Sequence, residues 1–485
     1  MTIPHEQERA LRDIASDMSA ESAAAFTALA VEYLAMTGDG NGPVSTSLTS
    51  DQLARRFDEP LPLEGSPLAA VVARLRDDVV ADSNRLMHPR AAGHQVSAPL
   101  PAAIWAESVI GALNQSLAVA EMSPTATVLE HRVVRWMCDL VGYPTSAGGT
   151  LTSGGTEATL AALLAARSAA IPDVWTNGVG AHAPVVVCGA HAHYAVARAV
   201  GELGIGMRNV VVVPARDFSM DVRALEAALD DLAREGRVVM AVVATAGSTA
   251  TGSFDDLEAI GALCDARDLW LHVDAAHGGS ALLSARHRDR LCGIGRARSI
   301  AWDPHKMMLL PLSAGLLLVR DERALESAFS QRAPYLFHGA DGARVWDQGV
   351  RSLQCSRRAD VIKLWVVLQR YGANGIGALY DRLCDVARAM HDMLAEHPRF
   401  VVLHEPASNI LCFRWVGDGS HAEEALDTLN RELRERYNRS GAGWITATDL
   451  DGRRVLRATI MNPRTSEDDV REIVEALDRE AGRMV

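Results

Sequence analysis

The sequence predicts an α/β fold: a mostly parallel sheet held between helices, with a helical arm ahead of it and a smaller C-terminal α/β domain behind it. Three observations carry this expectation. Short apolar, β-branched runs alternate with helical segments through the middle of the chain. Most of those runs are apolar on both faces, as strands covered by helices on both sides must be. The 485 residues also exceed what one ordinary core organises, so additions before and after the main body are expected.

In chain order, apolar residues recur at helical spacing from Glu6 to Met36, until the Gly/Pro/Ser/Thr-rich stretch Thr37 to Thr49 interrupts them. Residues 1–87 are therefore read as a helical arm, of the kind that packs on a partner subunit. Its first residues, Met1 to Met18, are polar and charged, which argues against a signal peptide or an anchor. No apolar run reaches the roughly 20 residues a membrane-spanning helix needs, so no membrane is expected. Leu68 to Asp82 reads as a helix leading into His88–Gln95, which has no clear period and is a candidate to line a site.

Residues 88–370 are read as the large α/β domain. Its expected strands are Val185–Val187, Val210–Val213, Val239–Val243, Leu269–Val273 and Gly315–Val319. After Arg357 one helix is expected to about Gly372 and another to His397, followed by strands Phe400–Leu403 and Asn409–Trp415, which gives a small domain over 371–485.

The net charge of −13 is spread out, and no dense Lys/Arg cluster stands ready to neutralise adjacent phosphates, which argues against nucleic acid as a partner. Seven scattered cysteines without a C-x-x-C pair fit reduced thiols in a cytoplasmic setting better than disulfides or zinc.

Four motifs carry chemistry. In Thr152–Thr159, small residues precede a helical run, so backbone N–H groups and the positive end of the helix dipole are available to an oxyanion; plain helix capping is the bland alternative. In His272–Gly279, Asp274 ends an apolar strand where open α/β sheets place ligands. A carboxylate there is costly without a cation, and a protonated pyridine nitrogen is a suitable one; helix capping again competes. In Ser299–Met308, Lys306 sits among Trp302 and Met307–Pro311, a setting that disfavours the ammonium and suits an amine acting on an aldehyde, although most lysines are surface residues. In Gly189–Tyr194, two alternate histidines could bind metal, but no third ligand is placed nearby, and a flat imidazole stacked on an aromatic cofactor is the better reading.

In this order and spacing the motifs resemble the group II pyridoxal phosphate-dependent decarboxylases, the family of glutamate, aromatic amino acid, cysteine sulfinate and diaminobutyrate decarboxylases. The resemblance runs from His88 to Pro463 and takes in Ser123-Pro124-Thr125, Gly252–Asp255, Leu353–Arg358 and Lys363-Leu364-Trp365. It implies an aminotransferase-like fold type I, pyridoxal 5'-phosphate as cofactor, and a homodimer with its active sites at the interface. It implies further that Lys306 forms the Schiff base, Asp274 pairs with the ring nitrogen, and His193 stacks on the ring, with Ala276 packed near its other side. Gly155, Thr156 and His305 would hold the phosphate, Thr249 would neighbour the ring hydroxyl, and Gln95 would reach the substrate.

The implied reaction is decarboxylation of an α-amino acid through a quinonoid to an amine and carbon dioxide. The family's loop tyrosine, which returns a proton to the α-carbon, has no counterpart here: His338–Arg351 contains no tyrosine, and Tyr335 belongs to a separate element. His338, water or another residue is then the expected donor. The alternatives are oxidative deamination to an aldehyde, β-elimination, or a catalytically silent scaffold. Arg344, Arg351 and Arg357 are candidates for an acidic substrate group, with structural roles the favoured reading.

Overall fold

Residues 5–329 and 346–485 are described in the computed structural model. The arm read as one helical stretch is two helices, α1 (His5–Asp17) and α2 (Ala20–Gly38). Ser19 divides them, because its hydroxyl accepts the Ser22 N–H at 3.1 Å and so caps the second helix. α1 buries none of its residues, and Leu11, Ile14, Phe26 and Val31 stand exposed along the arm.

The main sheet has seven strands: β1 (Gly148–Thr152), β2 (Val185–Gly189), β3 (Val210–Val213), β4 (Val239–Thr245), β5 (Trp270–Asp274), β6 (Ser299–Trp302) and β7 (Gly315–Val319). Their order is β1-β7-β6-β5-β4-β2-β3. From β6 to β3 all neighbours are parallel, while β7 runs antiparallel to both β1 and β6. Strand β1 went unread because Gly-Gly-Thr-Leu-Thr lacks an apolar run. Its glycines have a steric reason: a Cβ on Gly149 would lie 2.2 Å from the Leu317 carbonyl oxygen.

Alternation along the strands divides the core. Val242, Ala244, Leu271 and Val273 belong to the larger core cluster, which also takes in Val133, Val134 and Met137 of α3 (Pro124–Val141), whereas Ala241, Val243 and Trp270 lie on the other face with α4 (Gly155–Ala170). Each Val or Leu buried here contributes about 1.5–3 kcal/mol over leaving it exposed. The alanines of α4, Ala158, Ala161, Ala162, Ala165 and Ala166, are all buried and let this helix lie close on the sheet.

The stretch α5 (Val361–Glu396) is two helices, as expected, meeting at a kink where Gly372 has φ of 68° and ψ of 165°. A second sheet follows, from β8 (Phe400–Val402), β9 (Ile410–Trp415), β10 (Trp444–Leu450) and β11 (Arg453–Thr459). Asp451 and Gly452 join β10 to β11 with φ of 50° and 75°, the mirror-image turn a two-residue hairpin favours. The aperiodic segment after His88 supplies a short strand, Ala91–Ala92, which pairs in parallel with β10.

Candidate active site

The sheet register sets the floor of the site. Thr245 at the end of β4 pairs with Asp274 at the end of β5, and Asp274 with Ala301 of β6, so three parallel strands finish side by side. Beyond these ends lies a cavity of about 360 Å³, large enough for a small cofactor. Gly155, Thr156, His193, Thr249, Asp274, Ala276, His305 and Lys306 all line it. The eight positions span more than 150 residues of sequence and meet in one place.

The lysine rides on a tight turn after β6, closed by the Lys306 N–H donating to the Asp303 carbonyl at 2.9 Å. Its ammonium lies 3.1 Å from Asp303 Oδ2, and its side chain is 19% exposed. The expected apolar setting is only part of its surroundings, since the carboxylate three residues back stands beside the amine. His305 Nε2 is 3.5 Å from the same oxygen. The His305 Nδ1 accepts the Ala314 N–H at 3.1 Å, which leaves the ring hydrogen on Nε2, facing Asp303. Burial holds His305 below the usual histidine range.

His193 is held similarly. Its Nδ1 accepts the Ala195 N–H at 3.3 Å, its ring sits 4.1 Å from that of Tyr194, and burial lowers its basicity although Asp274 opposes the shift. Asp274 is braced by the Ala276 N–H, which donates to Oδ1 at 3.2 Å. The glycine turn is tight: a Cβ on Gly155 would come within 2.8 Å of the Ala276 Cβ and 3.2 Å of Asp303 Oδ2. No side chain caps α4, so its first N–H groups stay available to an anion.

The Leu353–Arg358 motif works as a clamp. Arg357 makes two hydrogen bonds to the fully buried Glu130, at 2.6 and 2.9 Å, and Glu130 also accepts the Leu151 N–H from β1. Gln354 donates to Glu157 in the first turn of α4, whose carboxylate also takes the Ser153 N–H. Arg351 is ion-paired with Glu322 and Glu326. Both described arginines of the expected trio thus hold structure, and Arg344 lies outside the described residues.

Gln95 is half-buried and does not line the cavity; its neighbour Ser97 reaches the lysine turn instead, donating to the His305 carbonyl at 3.0 Å. His338 lies outside the described residues. Sequence reasoning assigned no role to Asp303, Thr245 or His277, which also line the cavity. It missed Arg457 of β11 as well, a buried cation that donates to the Thr249 carbonyl at 2.7 Å and has no carboxylate partner among the described residues. Only His277 and Asp303 carried a signal, as ionisable residues within motifs already singled out.

Three polar atoms of the lining are buried without a hydrogen-bond partner among the described residues: Asp303 Oδ1, Thr245 Oγ1 and His277 Nδ1. Together with the uncapped helix end, the glycine that admits no side chain and the lysine on its turn, they fit a small, polar, phosphate-bearing aldehyde.

Residues 51–416 match the pyridoxal-dependent decarboxylase conserved domain, and the chain belongs to that family. It is 35% identical over 425 residues to the L-2,4-diaminobutyrate decarboxylase of Rhizobium meliloti (strain 1021), covering 87% of this chain and 84% of that protein. It is 31% identical over 417 residues to the acidic amino acid decarboxylase GADL1 of Mus musculus, covering 84% and 76%. The solved structure of Oryza sativa TDC with PLP and tryptamine superposes with a TM-score of 0.90 at 27% identity, covering 96% of this chain and 99% of that one. The fold is the aminotransferase-like fold type I, the cofactor is pyridoxal 5'-phosphate, and the chain is a carboxy-lyase dependent on it.

Proposed function

We propose that this chain decarboxylates an α-amino acid to its amine and carbon dioxide, with Lys306 holding the cofactor. The observation that carries this reading is the convergence of Lys306, Asp274, His193 and the Gly155 turn on one cavity. Lys306 would take the aldehyde and Asp274 would pair with the ring nitrogen. His193 and Ala276 would flank the ring, Thr249 would neighbour its hydroxyl, and Gly155, Thr156 and His305 would hold the phosphate. When bound, pyridoxal 5'-phosphate supplies an electron sink for the bond broken beside the substrate nitrogen. Asp274 would keep a hydrogen on the ring nitrogen, and His193 and Ala276 would hold the ring between them. Arg457 sets a buried positive charge behind Thr249, suited to an anionic substrate group.

A second subunit completes the proposal. The exposed apolar residues of α1 and α2 have no cover in the described chain, and a second copy gives them one, making a homodimer. All seven cysteines are free thiols, which suits the cytoplasm.

One observation favours a second reading. Residues 338–351 hold no tyrosine, and His338 is the residue we assign as proton donor. Slow proton return exposes the reacting carbon to dioxygen, giving aldehyde, ammonia, carbon dioxide and hydrogen peroxide from amino acid, dioxygen and water. Incubating the enzyme with candidate amino acids and measuring amine, aldehyde and peroxide together separates the two. Amine equal to carbon dioxide is expected; peroxide equal to carbon dioxide, with no amine, overturns the first reading in favour of the second.

A further inference from the structure

We propose that Asp303 is the proton acceptor that frees the Lys306 amine for its bond to the cofactor aldehyde, and the donor that returns that proton to the departing oxygen. The carboxylate is 2% exposed and stands where such a group must, with Oδ2 3.1 Å from the lysine nitrogen. Its orientation is fixed from three sides. The Asp303 N–H donates to the Ala276 carbonyl at 3.1 Å, the His305 Nε2 hydrogen faces the same oxygen at 3.5 Å, and Gly155 leaves no room above it. Oδ1 has no hydrogen-bond partner among the described residues, which leaves an acceptor atom of the carboxylate at the cavity wall. The other titratable groups of the cavity are His193, Asp274, His277 and His305; among the described residues none of them has a hydrogen bond or ion pair to the lysine nitrogen, whereas Asp303 has one.

The step balances. Asp303 takes one proton from the Lys306 ammonium, and the lone pair so released forms a C–N bond to the aldehyde carbon. A second nitrogen hydrogen passes to the carbonyl oxygen, making a hydroxyl. Asp303 then gives its proton to that hydroxyl, which leaves as water while the C=N bond forms. The nitrogen keeps its third hydrogen and ends positively charged; written as a sum, R–NH₃⁺ and O=CH–R′ give R–NH⁺=CH–R′ and H₂O, with Asp303 ending, as it began, a carboxylate beside a cation.

 The three hydrogens of the ammonium are thus accounted for: one borrowed and returned by Asp303, one moved to oxygen, and one kept on nitrogen.

This rests on Lys306 being the lysine that takes the cofactor, and the test separates the two claims. The full-length chain, freed of cofactor, is mixed with pyridoxal 5'-phosphate at a series of pH values, and the covalent link is trapped with borohydride and located by mass. In wild type the adduct is expected on Lys306; an adduct elsewhere overturns the assignment of the lysine. In Asp303→Asn the rate of trapping is expected to fall by about 10²-fold or more near neutral pH and to recover as pH rises. Binding of pyridoxine 5'-phosphate, which has no aldehyde, is expected to stay within about twofold of wild type. An adduct on Lys306 that forms at the wild-type rate in Asp303→Asn overturns the proposal. So does loss of pyridoxine 5'-phosphate binding in that variant, because Asp303 would then be building the site rather than moving a proton.

Discussion

His277 and His272 are buried without charge, and that sets an acid limit on the fold. His277 donates from Nε2 to Asn409 Oδ1 at 2.7 Å, and His272 Nδ1 is 2.9 Å from Ser299 Oγ, which already accepts the Trp270 indole N–H. Burial pushes His277 down to about 3 and His272 to about 4, from a reference value of 6.5. The unfolded chain therefore binds more protons than the folded one between those values. The stability these rings contribute is complete above pH 6.5 and is lost as pH falls through this window, by up to about 1.4 kcal/mol per pH unit for each ring. Urea unfolding between about pH 6 and pH 5 is expected to show that loss, and His277→Gln to remove one ring's share. An identical pH slope in the variant would rule out a neutral His277. Such contacts also mark where sequence reading stops. Lys306, Asp274 and His193 can be brought to one cavity from their motifs, because each sits at a recognisable strand end or turn. The bond from His277 to Asn409 crosses 132 positions, and the Arg457 bond to Thr249 crosses 208, so no local pattern announces either.

At the scale of elements, the turn from β1 into α4 is the part with least freedom. Gly155 admits no Cβ without moving Ala276, and the clamp from Arg357 through Glu130 to Leu151 holds the strand in front of it. Gly155→Ala is expected to leave most of the chain folded, at an overpacking cost of about 1–3 kcal/mol, while weakening retention of pyridoxal 5'-phosphate at least about tenfold. Dialysis followed by absorbance of the retained cofactor measures it; full retention would show that the turn does not hold the phosphate. The apolar strands β2 to β5 and β7 are legible because burial on both faces demands continuous hydrophobic runs. Strand β1 is not, since its glycines answer to a neighbouring carbonyl rather than to any periodicity. The β10–β11 hairpin did carry a signal, the Asp451-Gly452 pair, but polar residues in both strands mask the alternation around it.

For the whole molecule, the uncovered arm leads to an expectation about mass. Sedimentation at micromolar concentration is expected to give twice the 52.1 kDa of one chain, and deleting residues 5–38 to shift the equilibrium toward monomer. A monomeric full-length chain would leave the arm's apolar face needing another occupant. The large-scale plan of arm, central sheet and C-terminal sheet is legible from the order of helical and apolar segments. How the two sheets meet is not, because the contacts that join them, polar and apolar alike, are distant in sequence. Arg457 donates to the carbonyl of Thr249, Cys412 to that of Ala250, and Ser408 to that of Gly252. A grip made on main-chain oxygens is indifferent to which side chains the gripped loop carries. Ala250 also packs against the cluster of Cys412, Leu450 and Val455, so position 249, whose side chain lines the cavity, is the freer of the two. Selection has there a place to retune what the enzyme accepts while the seam between its two sheets stays closed.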